Sequence, residues 1–163
     1  MQFSRHWIAL ILVLLAGNTI AGIPDNAKDV RPLSVGSPAP TFTARTTDGA
    51  VRTFSAGNYP KSTVILFYHY TLLSDSKLEA AKAFHIAYHV DDGTVAKMRD
   101  YGTDLEVTSG TKQHELPVPS VFIIDRSGTI RYVYSNADYT VRLGADALWA
   151  AAARRRLSDR TDA

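Results

Sequence analysis

Leu116-Pro117-Val118-Pro119 runs almost directly into Val121-Phe122-Ile123-Ile124, and this conjunction restricts the chain more than any other stretch. The apolar run is β-branched and aromatic throughout, which suits a strand buried on both faces. Proline cannot donate to a sheet ladder, so Pro119 must stand at the strand's first position or in a bend that feeds it. A cis Val118–Pro119 bond would supply that bend and leave nearby backbone groups free to meet a ligand. Asp125-Arg126-Ser127-Gly128 then offers a turn, with Gly128 able to take positive φ. Ile130, Tyr132 and Tyr134 alternate with Arg131 and Val133 as the return strand of a hairpin.

Residues 1–21 read as a signal peptide. Arg5 and His6 form a short basic region, Trp7 to Ala16 is an apolar run of ten residues, and Thr19-Ile20-Ala21 suits cleavage after Ala21. The apolar run is too short for a stable membrane anchor across a hydrocarbon core roughly 30 Å thick. Export, periplasmic or extracellular, is the expected destination. Cleavage removes one arginine and no acid, so the net charge falls from +2 to +1. Such a near-neutral chain is not built for nucleic acid. It also contains no cysteine, which excludes disulfide support and every thiol chemistry.

Residues 22–34 are polar and read as a flexible lead-in, 35–154 as one domain, and 155–163 as a polar tail. Phe42 to Arg45, a turn at Thr47-Asp48-Gly49 and Val51 to Phe54 predict a small hairpin. Thr63 to Tyr70 is the second strong strand. Ser74 or Asp75 can cap a helix carrying Leu78, Ala81, Ala83 and Phe84. Ala87 to Val90 reads as a short extended piece, and Gly93 to Tyr101 as a helix stopped by Gly102. Thr108 to His114 reads as a polar loop. A C-terminal helix starts at Asp146 and ends near Arg154-Arg155-Arg156, where cations suit its dipole.

His85 and His89 stand four residues apart, and on a helix they would present two imidazoles on one face. That pair defines an alternative function, a His-based metal-binding protein or enzyme, against a plain reading as polar surface. A Ser120, His114, Asp125 set can be written on paper, but no nucleophile elbow supports it. The residues themselves assign no catalytic, metal or cofactor position.

The order of the elements carries a resemblance. Val35-Gly36-Ser37-Pro38-Ala39-Pro40-Thr41-Phe42 with Asp48-Gly49 is similar to the opening of redoxins, the alkyl hydroperoxide reductase/thiol-specific antioxidant peroxiredoxin-like family. Val64 to Tyr68 resembles that family's first central strand. Leu73-Ser74-Asp75 with Ala80-Ala81-Lys82-Ala83-Phe84 resembles a later segment, Leu116 to Tyr134 its late strand pair, and Asn136 to Leu143 the tail of one branch.

The resemblance implies a thioredoxin-like α/β fold, internally truncated: a three-stranded central sheet, an N-terminal hairpin and flanking helices. The family's activity is thiol-dependent peroxide reduction from a cysteine on a helix just after the first central strand. Here Tyr68-His69-Tyr70-Thr71 runs directly into Leu72-Leu73-Ser74-Asp75, and Ser74 stands where a cysteine would follow Thr71. A hydroxyl cannot replace a thiolate in attack on a peroxide. The expected protein is therefore non-catalytic, without a cofactor. Its implied groove comprises Thr71, Val118, Pro119 and Ser120, with an extended peptide or protein as partner. Loss of a neighbouring strand would expose residues 63–70 as an edge open to self-association.

Overall fold

A computed structural model describes residues 22–46, 48–55, 63–67, 75, 77–109 and 112–161. The expectations placed on residues 1–21, on Thr71 and Ser74, and on residues 68–70 of the expected strand lie outside the described residues. Four strand and helix segments open the chain: β1 (Phe42–Arg45), β2 (Val51–Phe54), β3 (Thr63–Phe67) and α1 (Glu79–Ala83). They are followed by β4 (Ala87–His89), α2 (Asp92–Asp100), α3 (Leu105–Ser109) and β5 (Glu115–Pro117). The chain closes with β6 (Ser120–Ile124), β7 (Ile130–Ser135) and α4 (Ala145–Thr161).

β6 lies at the centre of an antiparallel sheet in the order β3-β6-β7, which is the three-stranded core expected. All five of its residues are buried, as a strand without polar alternation requires. The two prolines obey the ladder rule. Pro117 ends β5, which pairs with β4 in a separate two-stranded sheet, and Pro119 stands immediately before β6. The chain changes sheets at Val118-Pro119. No peptide bond among the described residues is cis, so the expected cis Val118–Pro119 bond is corrected to trans.

The β6–β7 hairpin departs from simple alternation. Ile123 faces Tyr132 while Ile124 faces Ile130, so Arg131 is the extra residue of a bulge. Ile130 therefore joins Val133 on the core side, and Tyr132 and Tyr134 fall on the other. The reading that set Ile130 in phase with the tyrosines is corrected accordingly. The displaced Arg131 turns to Asp125, with Nε 2.6 Å from Oδ2. Asp125 also accepts from the Ser127 hydroxyl and N–H and from the Thr129 N–H. Gly128 closes the turn at φ 80°, where a side chain would be strained.

The core is aromatic. Phe84 is fully buried, with ring centroids 4.6 Å from Phe122, 5.4 Å from Phe67 and 5.7 Å from Phe42. Phe54 stacks on Phe42 at 4.8 Å, which ties the hairpin β1–β2 to the same cluster. The short α1 is set by capping at both ends. Asp75 accepts from the Ala80 and Ala81 N–H groups, as a capping acid should, although it reaches them across Leu78. Burial pushes its carboxyl above the ordinary range, against the pull of those same donors.

Four further readings need revision. His85 has φ 58° and ends α1, and Ala87–His89 is strand, so His85 and His89 share no helix face. Residues 22–34 are docked rather than loose: Val30 is buried, Leu33 N–H donates to Phe84 O, and His89 N–H donates to Pro24 O. The stretch read as loop from Thr108 overlaps the end of α3, whose first turn is held by Asp104 accepting from Glu106 and Val107. α4 continues through the expected polar tail to Thr161.

Two outcomes follow from this packing. Phe84→Ala should lower the unfolding free energy by about 3–5 kcal/mol in urea titration, since it empties the middle of the cluster; a loss under about 1 kcal/mol would show that the ring is not a hub. Burial alone would raise the Asp125 carboxyl, but Ser127, Thr129 and Arg131 pull it down to about 2. A depressed carboxyl stabilises the fold above its unfolded value and loses that contribution as pH falls toward 2. Wild type should therefore lose stability between about pH 4 and pH 2 by more than Asp125→Asn does. Parallel acid profiles for the two proteins would contradict the assignment.

Candidate functional site

Pro119 and Ser120 occupy the end of the sheet where β3 finishes, with Ser120 in register with Phe67 on one side and Ser135 on the other. The groups that a peptide would need at Val118 are used internally. Val118 is buried, and its N–H donates to Ile86 O at 2.8 Å. Its carbonyl lies 2.9 Å from the Ser120 hydroxyl, which is also 2.9 Å from the Ser135 hydroxyl. Asn136 N–H donates to Pro119 O at 3.3 Å. The expectation of free backbone around Pro119 is thus corrected: the switch from β5 to β6 places these groups against Ile86, Ser135 and Asn136, and they pair there.

What remains open lies on the opposite side of Pro119. A small pocket is floored by Pro119, Ser120 and Val121 and walled by Leu66, Phe67 and Tyr134. Arg142 and Leu143, from the segment that leads into α4, and Leu148 of α4 close it. Register explains the choice of walls. Leu66, Val121 and Tyr134 are cross-strand partners and share one sheet face. The lining is mostly apolar with a single charged group, Arg142, a composition typical of small-ligand sites. Of the four groove residues expected from sequence, Pro119 and Ser120 line the pocket, Val118 is sealed beneath it, and Thr71 lies outside the described residues. Arg142 and Leu148 were not singled out by the sequence, and Tyr134 only as a position of the return strand. Only the Asn136–Leu143 block hinted that the return to α4 had a role.

A second cleft, between β1 and the start of α1, is lined by Thr43, Arg45, Asp75, Lys77 and Glu79. Charges of both signs face one another there, and the Thr43 hydroxyl donates to Glu79. It is a polar seam between hairpin and helix.

The other candidates do not assemble. Ser120 and Asp125 stand at the start and just past the end of β6, and the His114 ring lies 3.0 Å from Glu106 Oε1. Ser120, His114 and Asp125 therefore form no triad. His89 sits opposite Glu115 across β4–β5, with Nδ1 3.9 Å from the carboxylate. Lys82 Nζ approaches Glu115 at 2.7 Å and already answers its charge. Among the described residues no group of three or more His, Cys, Asp or Glu is placed to hold a metal ion.

No family model matches the chain, and no curated protein matches it significantly. Solved structures do. A peroxiredoxin-like protein from Aquifex aeolicus is 19% identical, with 72% of this chain and 85% of the other covered and a TM-score of 0.42. The mitochondrial 2-Cys peroxiredoxin of Plasmodium falciparum is 16% identical over 77% of this chain and 96% of its own, at TM-score 0.41. A thio-disulfide isomerase from Thermus thermophilus is 21% identical over 73% and 94%, at TM-score 0.33.

Proposed function

We propose that this chain is an exported, redoxin-derived domain that has given up peroxide reduction and acts as a binding module beside Pro119. The observation that carries the reading is chemical. Peroxide reduction in that lineage runs through a cysteine thiolate, and none of the 163 residues is cysteine. Serine is no substitute, because its hydroxyl is far less acidic and has no counterpart to the sulfenic acid cycle. The element order that carries the resemblance is otherwise kept, from the β1–β2 hairpin through β3 to the β6–β7 pair and α4. What such a scaffold retains is the end of the sheet at Pro119, with its pocket. The basic and apolar start of the chain supports export, and among the described residues no helix is long and apolar enough to cross a membrane.

The assay is direct. Protein recovered from the exported fraction, with Gly22 as its first residue, should consume hydrogen peroxide no faster than buffer when supplied with excess dithiothreitol. Robust turnover would overturn the non-catalytic reading.

A second property of the reading concerns β3. Among the described residues no strand pairs with its outer side, and Val64 and Leu66 there are 39% and 53% exposed. Long apolar edges recruit further strands. Self-association through residues 63–70 should appear in sedimentation velocity as a concentration-dependent dimer, and Val64→Lys should abolish it. A monomer at all concentrations would remove this part of the proposal.

A further inference from the structure

We infer that a second copy of this chain pairs with β3 about a two-fold axis at Ile65, and that the partner's Val64 completes the outer wall of the pocket beside Pro119. This deepens the self-association reading and rests on it. Val64 and Leu66 point to one face of the sheet, and Ile65 and Phe67 point to the core. Leu66 already walls the pocket, yet it is 53% exposed, because among the described residues no strand lies on its outer side. The wall therefore ends at β3 with one flank in water.

Register follows from alternation. Residues directly opposite in an antiparallel pair share a face. A two-fold axis normal to the sheet keeps that face the same in both copies, so within β3 Leu66 can meet only the partner's Val64 or the partner's Leu66. An axis at Ile65 sets Leu66 against the partner's Val64 and keeps the whole length of β3 in the pair. An axis at Val64 or Leu66 pairs only residues 63–65 or 65–67. With the axis at Ile65 the ladder partners form one apolar row: Tyr134, Val121 and Leu66, then the partner's Val64, the partner's Ile123 and the partner's Tyr132.

What fits this edge is another copy of it. Natural edge strands are guarded by a lysine, a proline or a bulge. β3 has none of these: Thr63-Val64-Ile65-Leu66-Phe67 pairs with β6 in unbroken register. Neither β3 nor the outward positions Val121, Ile123, Tyr132 and Tyr134 carries an Asp, Glu, Lys, Arg or His. Two copies therefore oppose no like charges. Each covers the other's exposed Val64 and Leu66 at once, the self-match that a two-fold interface demands. A strand with charged side chains on this face would have to desolvate them. A strand of this length spans about 17 Å, so the contact falls below the roughly 1,200 Å² of lasting complexes and the dimer is transient. The pocket gains and loses its outer wall as copies meet and part.

The absence of native cysteine makes disulfide trapping a direct test. Mature chains carrying Val64→Cys, Leu66→Cys or, as a collisional control on α3, Val107→Cys are mixed in pairs under mild oxidation, with one chain tagged so that mixed dimers are resolved by mass. All three positions are exposed. Directly opposite Cβ atoms lie about 5 Å apart and diagonal ones about 7–8 Å, the latter beyond the reach of a disulfide. Val64→Cys with Leu66→Cys should therefore link at least about tenfold faster than either variant with itself, or than any pair that includes Val107→Cys. In the unmodified ¹⁵N-labelled protein, the amides of Leu66 and, across the pocket, Leu143 and Leu148 should shift with concentration along one binding curve. Faster self-linking of Val64→Cys or of Leu66→Cys, with a dimer still present in sedimentation velocity, would overturn the register and leave self-association standing. Shifts confined to β3 would overturn the completed wall, and linking no faster than the control would overturn both. None of these outcomes touches the peroxide assay, so the absence of thiol chemistry stands or falls separately.

Discussion

Phe84 ends α1 with a ring that meets Phe122 of β6, Phe67 of β3 and Phe42 of β1, and the placement of one side chain thereby sets the distances among three elements. α1 has five residues, far too few to be helical on intrinsic preference. It exists because Ala80 and Ala81 let it approach closely and Phe84 anchors its end. Leu78 and His85 flank it with φ of 54° and 58°, a backbone region that costs side-chain-bearing residues of order 1 kcal/mol. Burial of the aromatic cluster offsets that strain. Lys82 and Glu115 extend the same dependence to β5, since the carboxylate is buried and would be uncompensated without the ammonium.

The parts of the fold that could be read in advance were those with one dominant physical signal. β3 and β6 are continuous apolar runs, the Asp48-Gly49 turn announces β1–β2, and Gly102 marks the end of the segment that became α2. The β4–β5 sheet gave only half a signal. Each strand has three residues, and Pro117 in β5 argues against a strand unless its edge position is known. The alternative built on His85 and His89 rested on spacing alone, which cannot report that His85 takes positive φ. Docking of residues 22–34 was hidden for a different reason. Their composition is mostly polar, and what holds them is the burial of Val30, the packing of Ile23, Ala27 and Leu33 on the core, and two backbone bonds, from Leu33 to Phe84 and from His89 to Pro24.

The candidate site was half legible. Pro119 and Ser120 announce themselves because proline before a buried strand needs a structural role. Arg142 does not, since it reaches the pocket from a segment whose conformation depends on Asx-type turns at Asn136 and Asp138, and Leu148 does not, since it reaches it from the helix α4 that those turns place. Backbone pairing around Val118 was equally invisible. It follows from the crossing between two sheets, which brings Ile86 O within reach of the Val118 N–H.

The odd residue in β7 has a consequence for how this protein can vary. Because Arg131 is left out of the pairing, Ile130 and Val133 serve the phenylalanine cluster while Tyr132 and Tyr134 serve the other face. The bulge also fixes where length can change: without Arg131, Ile130 would still oppose Ile124 and Tyr132 would still oppose Ile123, so each side chain would keep its face. What would be lost is the Arg131–Asp125 pair, so the extra residue serves the turn rather than the facing of the strand.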